Sequence, residues 1–417
     1  MKLKKLFALG LACLLPWMLF AGGKTDGSAK GGVTTLQLWH RWSGLSEDAL
    51  NQVIKGFEAQ NPDVKIVSTG QPGEYMELLQ KMIADMAAGN APPDLFVGGY
   101  NLMNYIHTEM NPVLVNNLAP SPTAYTELKN KYIPSMIKLG EIEDDQIGVP
   151  FALSNIVMFY NEDIFKAAGL SAADVPKTWE DVIRVGTIIK EKTGKFAVGM
   201  QKVDSWPDLG IIYSNGGKLL TDDGKKVAFN NPQAAEAIGM WQSLHRRGLA
   251  AIDTDAELMA SFIAGNVAMY VSSCMKLSSI QSSVAFNLKV GECPSFGTKR
   301  KALPAGGAAI MSFTKDKARY NAVWRFLDYA TSAEAMEMFT KSGYLAVTKA
   351  QVPMVSGQEA AYAQLEYAVP WTAWPGGSAG LEIDRLYINK RLEIIHGTLD
   401  VTSTLNQLAA DCNKLLN

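Results

Sequence analysis

Cysteine and histidine are scarce in this chain, with four of each among 417 residues. No two cysteines stand at C-x-x-C spacing, and His40, His107, His245 and His396 are scattered, so there is no zinc pattern and no metal site to expect. Buried structural thiols are the expected state of Cys274, Cys293 and Cys412. A surplus of one charge is also lacking. The formal net charge of −2 leaves no basic field for nucleic acid and no acidic tail. Missing too are a Gly-x-Ser-x-Gly elbow, a His-Glu-x-x-His helix and a phosphate loop, which removes the commonest hydrolase and nucleotide-binding signatures and any expected cofactor. The apolar stretch over residues 6–20 is too short to cross a bilayer comfortably.

The N-terminus is more informative. Lys2, Lys4 and Lys5 precede that apolar stretch, and Ala21, Gly22 and Gly23 follow it. The order of charge, apolar core and small residues reads as a secretory signal peptide over 1–21, with a Gly/Ser/Lys linker over 22–32. The expected location is the periplasm or cell envelope. Cys13, after Leu11-Ala12, offers lipid anchoring as the alternative, although the apolar 14–20 would then replace the usual polar tether.

Beyond the linker, alternation over 34–39 predicts a strand, and Leu50, Val53, Ile54 and Phe57 have helical spacing. Strands are expected at 64–67 and from Asp94, and a helix at 75–88. This β-α-β-α-β order implies a parallel sheet covered by helices. The run 151–160 is largely apolar but holds Ser154 and Asn155, as a ligand-facing or hinge segment would, or a strand crossing a sheet edge. Helices follow at 163–168 and 179–192, the latter capped by Thr178. Pro304-Ala305-Gly306-Gly307-Ala308-Ala309 reads as a flexible break.

A dozen short motifs in order then carry a resemblance. They include Trp39-His40, Phe57-Glu58-Ala59-Gln60-Asn61-Pro62-Asp63, Gly89-Asn90-Ala91-Pro92, Pro150-Phe151, Tyr160-Asn161-Glu162-Asp163, Gly265-Asn266-Val267-Ala268-Met269 and Ser342-Gly343-Tyr344-Leu345. The chain resembles the family 1 extracellular solute-binding proteins of ABC importers, in their glycerol-3-phosphate- and sugar-binding branch. The resemblance implies an α/β fold, the type II periplasmic binding protein, with a ligand cleft between two lobes. Lobe 1 would be 33–152 plus 306–345 and lobe 2 would be 153–305 plus 346–417. Three hinge crossings would fall near 152–154, 304–306 and 345–347. A monomer that hands a small ligand to membrane permease subunits is implied.

Matched motif by motif, the resemblance places Tyr75, Ser154, Trp206, Ser273, Gly307 and Tyr344 at the ligand. Two positions depart from the family: Gly99 stands where an acidic residue is usual, and Glu382 where a phosphate-binding arginine is, with Arg385 three residues on. A carboxylate repels a phosphate, so a sugar or polyol is expected, with Glu382 among its ligand contacts; glycerol-3-phosphate is the alternative, or a glycerophosphodiester whose cationic head Glu382 and the tryptophans would hold. Sugars offer apolar faces to aromatic rings and hydroxyl edges to polar groups. Trp42, Trp206, Tyr344, Trp371 and Trp374 lie in loop-like stretches suited to that contact, whereas Trp39, Trp179, Trp241 and Trp324 look like core. Trp206 is expected to serve the ligand more than the core. An exported carbohydrate-active enzyme using Glu162/Asp163 or Glu382/Asp384 is the rival class, but adjacent acidic residues more often open a helix.

Overall fold

The computed structural model describes residues 32–71, 73–202 and 205–416; the expected signal peptide, the Cys13 anchor and nearly all of the linker lie outside them. In chain order the longer elements begin with β1 (Thr34–His40), α1 (Leu45–Gln60), β2 (Val64–Gly70), α2 (Tyr75–Ala87) and β3 (Leu95–Gly99). Then come β4 (Gly148–Ser154), β5 (Ile156–Asn161), α3 (Trp179–Thr193), β6 (Phe196–Gln201) and α4 (Trp206–Ser214). They are followed by α5 (Pro232–Arg246), β7 (Ala250–Asp253), α6 (Asp255–Ile263), β8 (Val267–Ser273) and β9 (Leu288–Glu292). The last are β10 (Gly306–Ser312), α7 (Tyr320–Ala330), α8 (Ala333–Thr340), α9 (Ser378–His396) and α10 (Val401–Lys414).

Two five-stranded sheets organise the chain, in the orders β2-β1-β3-β10-β4 and β9-β5-β8-β6-β7. The expected parallel unit is present, with Thr34 opposite Val64 and Leu38 opposite Leu95. β10 inserts antiparallel between β3 and β4. The first sheet, with α1, α2, α7 and α8, forms one lobe. The second sheet, with α3, α5, α9 and α10, forms the other. One apolar cluster fills the first lobe and runs on to one face of the second sheet through Val157, Phe159, Val267 and Tyr270, and a second cluster covers the other face of that sheet. α3 shows why these sequences fold locally: Thr178 accepts from the Asp181 N–H at its start, Val182, Val185 and Ile189 face inward, and Gly194 closes it at φ 70°.

The run 151–160 is two strands in different sheets, with Asn155 alone between them. That residue is buried; its carbonyl accepts from the Cys274 N–H at 3.0 Å and its Nδ2 donates to the Ala361 carbonyl at 2.7 Å. The chain returns through Ala305, whose N–H donates to Val369 at 2.8 Å, directly into β10. Leu345 then bonds Leu153 at the same place.

The glycine-alanine stretch beginning at Pro304 is therefore not a flexible break. Gly306–Ser312 is a fully buried strand. Small residues are required there: a Cβ on Gly306 would lie 2.6 Å from Ser154 Oγ and 2.7 Å from the Trp206 ring. At Gly307, φ is 122° and a Cβ would meet the Ala152 carbonyl oxygen at 2.0 Å.

Candidate ligand cleft

In open α/β sheets the ends of parallel strands expose loops at a crevice, and both lobes follow that rule. Arg41 leaves the end of β1. Its Nε donates to the Gly73 carbonyl at 2.5 Å, its guanidinium lies 3.2 Å from Glu74, and it stacks 4.8 Å over the Tyr75 ring. Glu74 caps α2 in a reciprocal box with Glu77, which fixes the loop after β2. Burial pushes the Glu74 carboxyl above its ordinary range, against the pull of Arg41. Gly99 ends β3 against this group: a Cβ there would sit 2.8 Å from Tyr75, so the usual acidic side chain has no room. Tyr344 is held by the Trp42 indole N–H at 3.1 Å and stacks on Phe339.

The second lobe answers with a similar arrangement. Asp255 opens α6 after its Thr254 cap, and Ser272 and Ser273 end β8. Lys276 pairs with Asp255, which also accepts from Tyr270 at 2.5 Å and from Ser272 at 3.3 Å. Ser273 Oγ accepts from the Met275 N–H. Trp206 begins α4, donates its Nε1 proton to the Pro304 carbonyl at 3.0 Å, and packs 5.8 Å from Trp371.

These groups converge on a chamber of about 170 Å³. All six residues that the resemblance places at the ligand line it, Tyr75, Ser154, Trp206, Ser273, Gly307 and Tyr344, and so does Trp371 among the loop aromatics. Trp374 and Glu382 do not. Trp374 is 6% exposed, packs on Phe229 and Tyr387, and donates to Asp384 at 2.8 Å. Glu382 lies on α9 in a two-pronged pair with Arg385, at 2.5 and 2.8 Å. Trp206 differs from expectation in another way: it is 4% exposed and belongs to the core of its lobe as well as to the chamber.

Sequence reasoning missed the charges of the chamber, Arg41, Glu74, Asp255 and Lys276, and with them Gln201 and Ser272. The available signal was position: Arg41, Gln201 and Ser272 lie at or just past strand ends, where such folds bind ligands. Among the described residues no group of three or more histidine, cysteine or acidic side chains is placed to hold a metal ion. All three described cysteines are buried and unbridged.

Residues 43–337 match the family model described as bacterial extracellular solute-binding protein. The chain is 30% identical over 345 residues to the sn-glycerol-3-phosphate-binding periplasmic protein UgpB of Escherichia coli K12, covering 78% of this chain and 77% of that protein. Among solved structures it is similar to UgpB from Mycobacterium tuberculosis in complex with glycerophosphocholine, with a TM-score of 0.81, 22% identity, and coverage of 92% of this chain and 99% of that one. It is also similar to the GacH receptor of Streptomyces glaucescens, studied unliganded and with acarbose, with a TM-score of 0.80, 18% identity, and coverage of 92% and 98%. Both likenesses show the fold, a cleft flanked by two sheet-containing lobes.

Proposed function

The chain belongs to the bacterial extracellular solute-binding proteins, and from that premise we propose that it captures a neutral sugar or polyol in its cleft and delivers it to the permease of an ABC importer. One observation carries the ligand class: the chamber is charge-balanced, with Arg41 paired to Glu74 on one lobe and Lys276 paired to Asp255 on the other. Each pair offers donors and an acceptor side by side, which suits adjacent hydroxyls. An incoming phosphate would have to displace a carboxylate from each cation. Arg385, the one candidate to replace the family's arginine, is engaged by Glu382 outside this chamber. The transferred residues Tyr75, Ser154, Trp206, Ser273, Gly307 and Tyr344 complete the contacts.

Calorimetry with a panel of sugars and alditols beside glycerol-3-phosphate tests this reading. Binding is expected for a neutral polyhydroxylated ligand, returned unchanged, as befits a binding protein and not an enzyme. Micromolar binding of glycerol-3-phosphate would overturn it in favour of the second reading, which the name of the Escherichia coli relative supports. Export follows from the same role. N-terminal sequencing of envelope-fraction protein is expected to begin at Gly22; a blocked, acylated Cys13 would instead establish a lipid anchor. No helix among the described residues is long and apolar enough to cross a membrane.

A further inference from the structure

α9 is rooted in the second lobe, where Ile383, Tyr387 and Ile394 join its core, yet the first turn of this helix touches the first lobe. Gly377, buried at φ 55°, leads into that turn, which has neither a side-chain cap nor an acidic residue of its own. Facing it is the segment that follows Tyr105 in the first lobe. Ile106–Met110 winds as a single π-helical turn, with Ile106 and Met110 buried in the core and Thr108 and Glu109 left at the surface. A Cβ on Gly377 would collide with Glu109 Oε1 and lie 3.1 Å from Thr108 Oγ1, so glycine is what lets the two segments meet. Tyr105 is a neighbour of both sides: burial raises its hydroxyl pKa, Glu109 adds to the rise, and Ser378 opposes it. Between Leu102 and Tyr105 on one side and Trp374 and Leu381 on the other, the gap is about 10 Å³, room for one water at most. Thr108, Glu109 and Gly377 wall neither the ligand chamber nor the wider space of about 390 Å³ between α2 and α9.

We infer that the Gly377 turn and the Thr108–Glu109 turn form a latch between the lobes that works without ligand. Every atom of the contact belongs to the chain itself, so the contact favours the closed arrangement whether or not a ligand is bound. Glu109 adds charge to the fit. Its carboxylate, carried by the first lobe, stands at the N-terminus of a helix in the second lobe, where a negative group is stabilising. The latch thereby sets how much of the ligand-free protein is already closed. Apparent affinity scales with the fraction in the binding-competent form, so the latch tunes the affinity for any ligand by one common factor. It acts on the strength of binding and not on the choice of ligand, and it stands apart from the sugar reading above.

Two measurements on the full mature chain test the latch. The first is a double variant, Thr108→Cys with Gly377→Cys. Thr108 Oγ1 stands where the new sulfur would, 3.1 Å from the other Cβ, a spacing that suits a disulfide. Cys274, Cys293 and Cys412 are buried, so linkage is read as loss of the two new thiols to alkylation of the native protein. Mild oxidation of the ligand-free variant is expected to link it, and thermal melting under reduction confirms that it is folded. Linking only after a saturating sugar from the calorimetric panel is added would overturn a latch that works without ligand. No linking in either state would overturn the contact itself. The second measurement is calorimetry on Glu109→Gln, a change at an exposed position. It is expected to weaken binding of every ligand in the panel by the same factor, about twofold to fivefold. A loss confined to one ligand, or no loss at all, would remove Glu109 from the latch.

Discussion

His40 shows how one side chain ties stability to pH. It is fully buried at the end of β1, and its Nδ1 accepts from the Trp42 N–H at 3.1 Å, which requires the neutral ring. Burial lowers its pKa from 6.5 to about 4. The unfolded chain therefore takes up a proton that the folded chain refuses. Stability from this residue is whole above pH 6.5 and is lost as the pH falls to about 4, by on the order of 3 kcal/mol. Urea titrations at several pH values should show a shallower acid loss in His40→Asn than in the wild type. Equal slopes would assign the loss to other groups. Gly307 makes a different point. Its side-chain-free backbone is demanded by the Ala152 carbonyl and by φ of 122°, so the constraint exists before any ligand arrives. Gly307→Ala should lower the melting temperature of the ligand-free protein, at a cost of about 1–3 kcal/mol or more. An unchanged melting temperature would mean that the strand relaxes around the new methyl.

At the scale of elements, a buried ion pair fastens α9 to its lobe. Arg391 pairs with Asp208 of α4, both side chains fully buried, and donates to the Lys202 carbonyl at 2.6 Å. Burial raises the Asp208 carboxyl to about 6, although Arg391 pulls the other way. Asp208→Ala should cost about 3–5 kcal/mol, because it strands a guanidinium in the core. Asp208→Ala combined with Arg391→Met should cost less than Asp208→Ala alone, by chemical denaturation; a larger cost would show that the pair itself, not the stranded charge, carries the stability. How far such elements were legible in the sequence depended on range. The β-α-β-α-β opening and the Thr178 cap are local patterns, and periodicity revealed them. The strand at Gly306–Ser312 was hidden because glycine and alanine have little strand preference; its identity is set by Ser154, Trp206 and Ala152, about a hundred residues or more upstream. The pairs Arg41–Glu74 and Asp255–Lys276 were hidden for the same reason, since no short window contains both partners or the strand ends that aim them. Trp374 looked like a ligand contact because a loop carries it, yet loops can bury their aromatics.

For the whole molecule, the two sheets meet at a seam where Asn155 alone separates β4 from β5, Ala305 leads the returning chain into β10, and Ser154 pairs with Gly306. Lobe boundaries at 33–152 plus 306–345 and 153–305 plus 346–417, with a third crossing near Leu345, make this seam the proposed hinge. Ligand binding is expected to contract the molecule, visible as a smaller radius of gyration in small-angle scattering with saturating sugar. An unchanged radius would count against closure. The place of β10 has one more consequence, for the order in which the protein is made. β10 is the strand between β3 and β4, but it follows β4 by about 150 residues of chain. A ribosome that has delivered both neighbours has delivered two open strand edges and nothing to put between them. The first sheet cannot close until most of the polypeptide exists, and pairings of such long range form slowly. The nascent chain is thus kept threadable while it grows, which is the condition a polypeptide must be in to pass through a membrane pore before it folds.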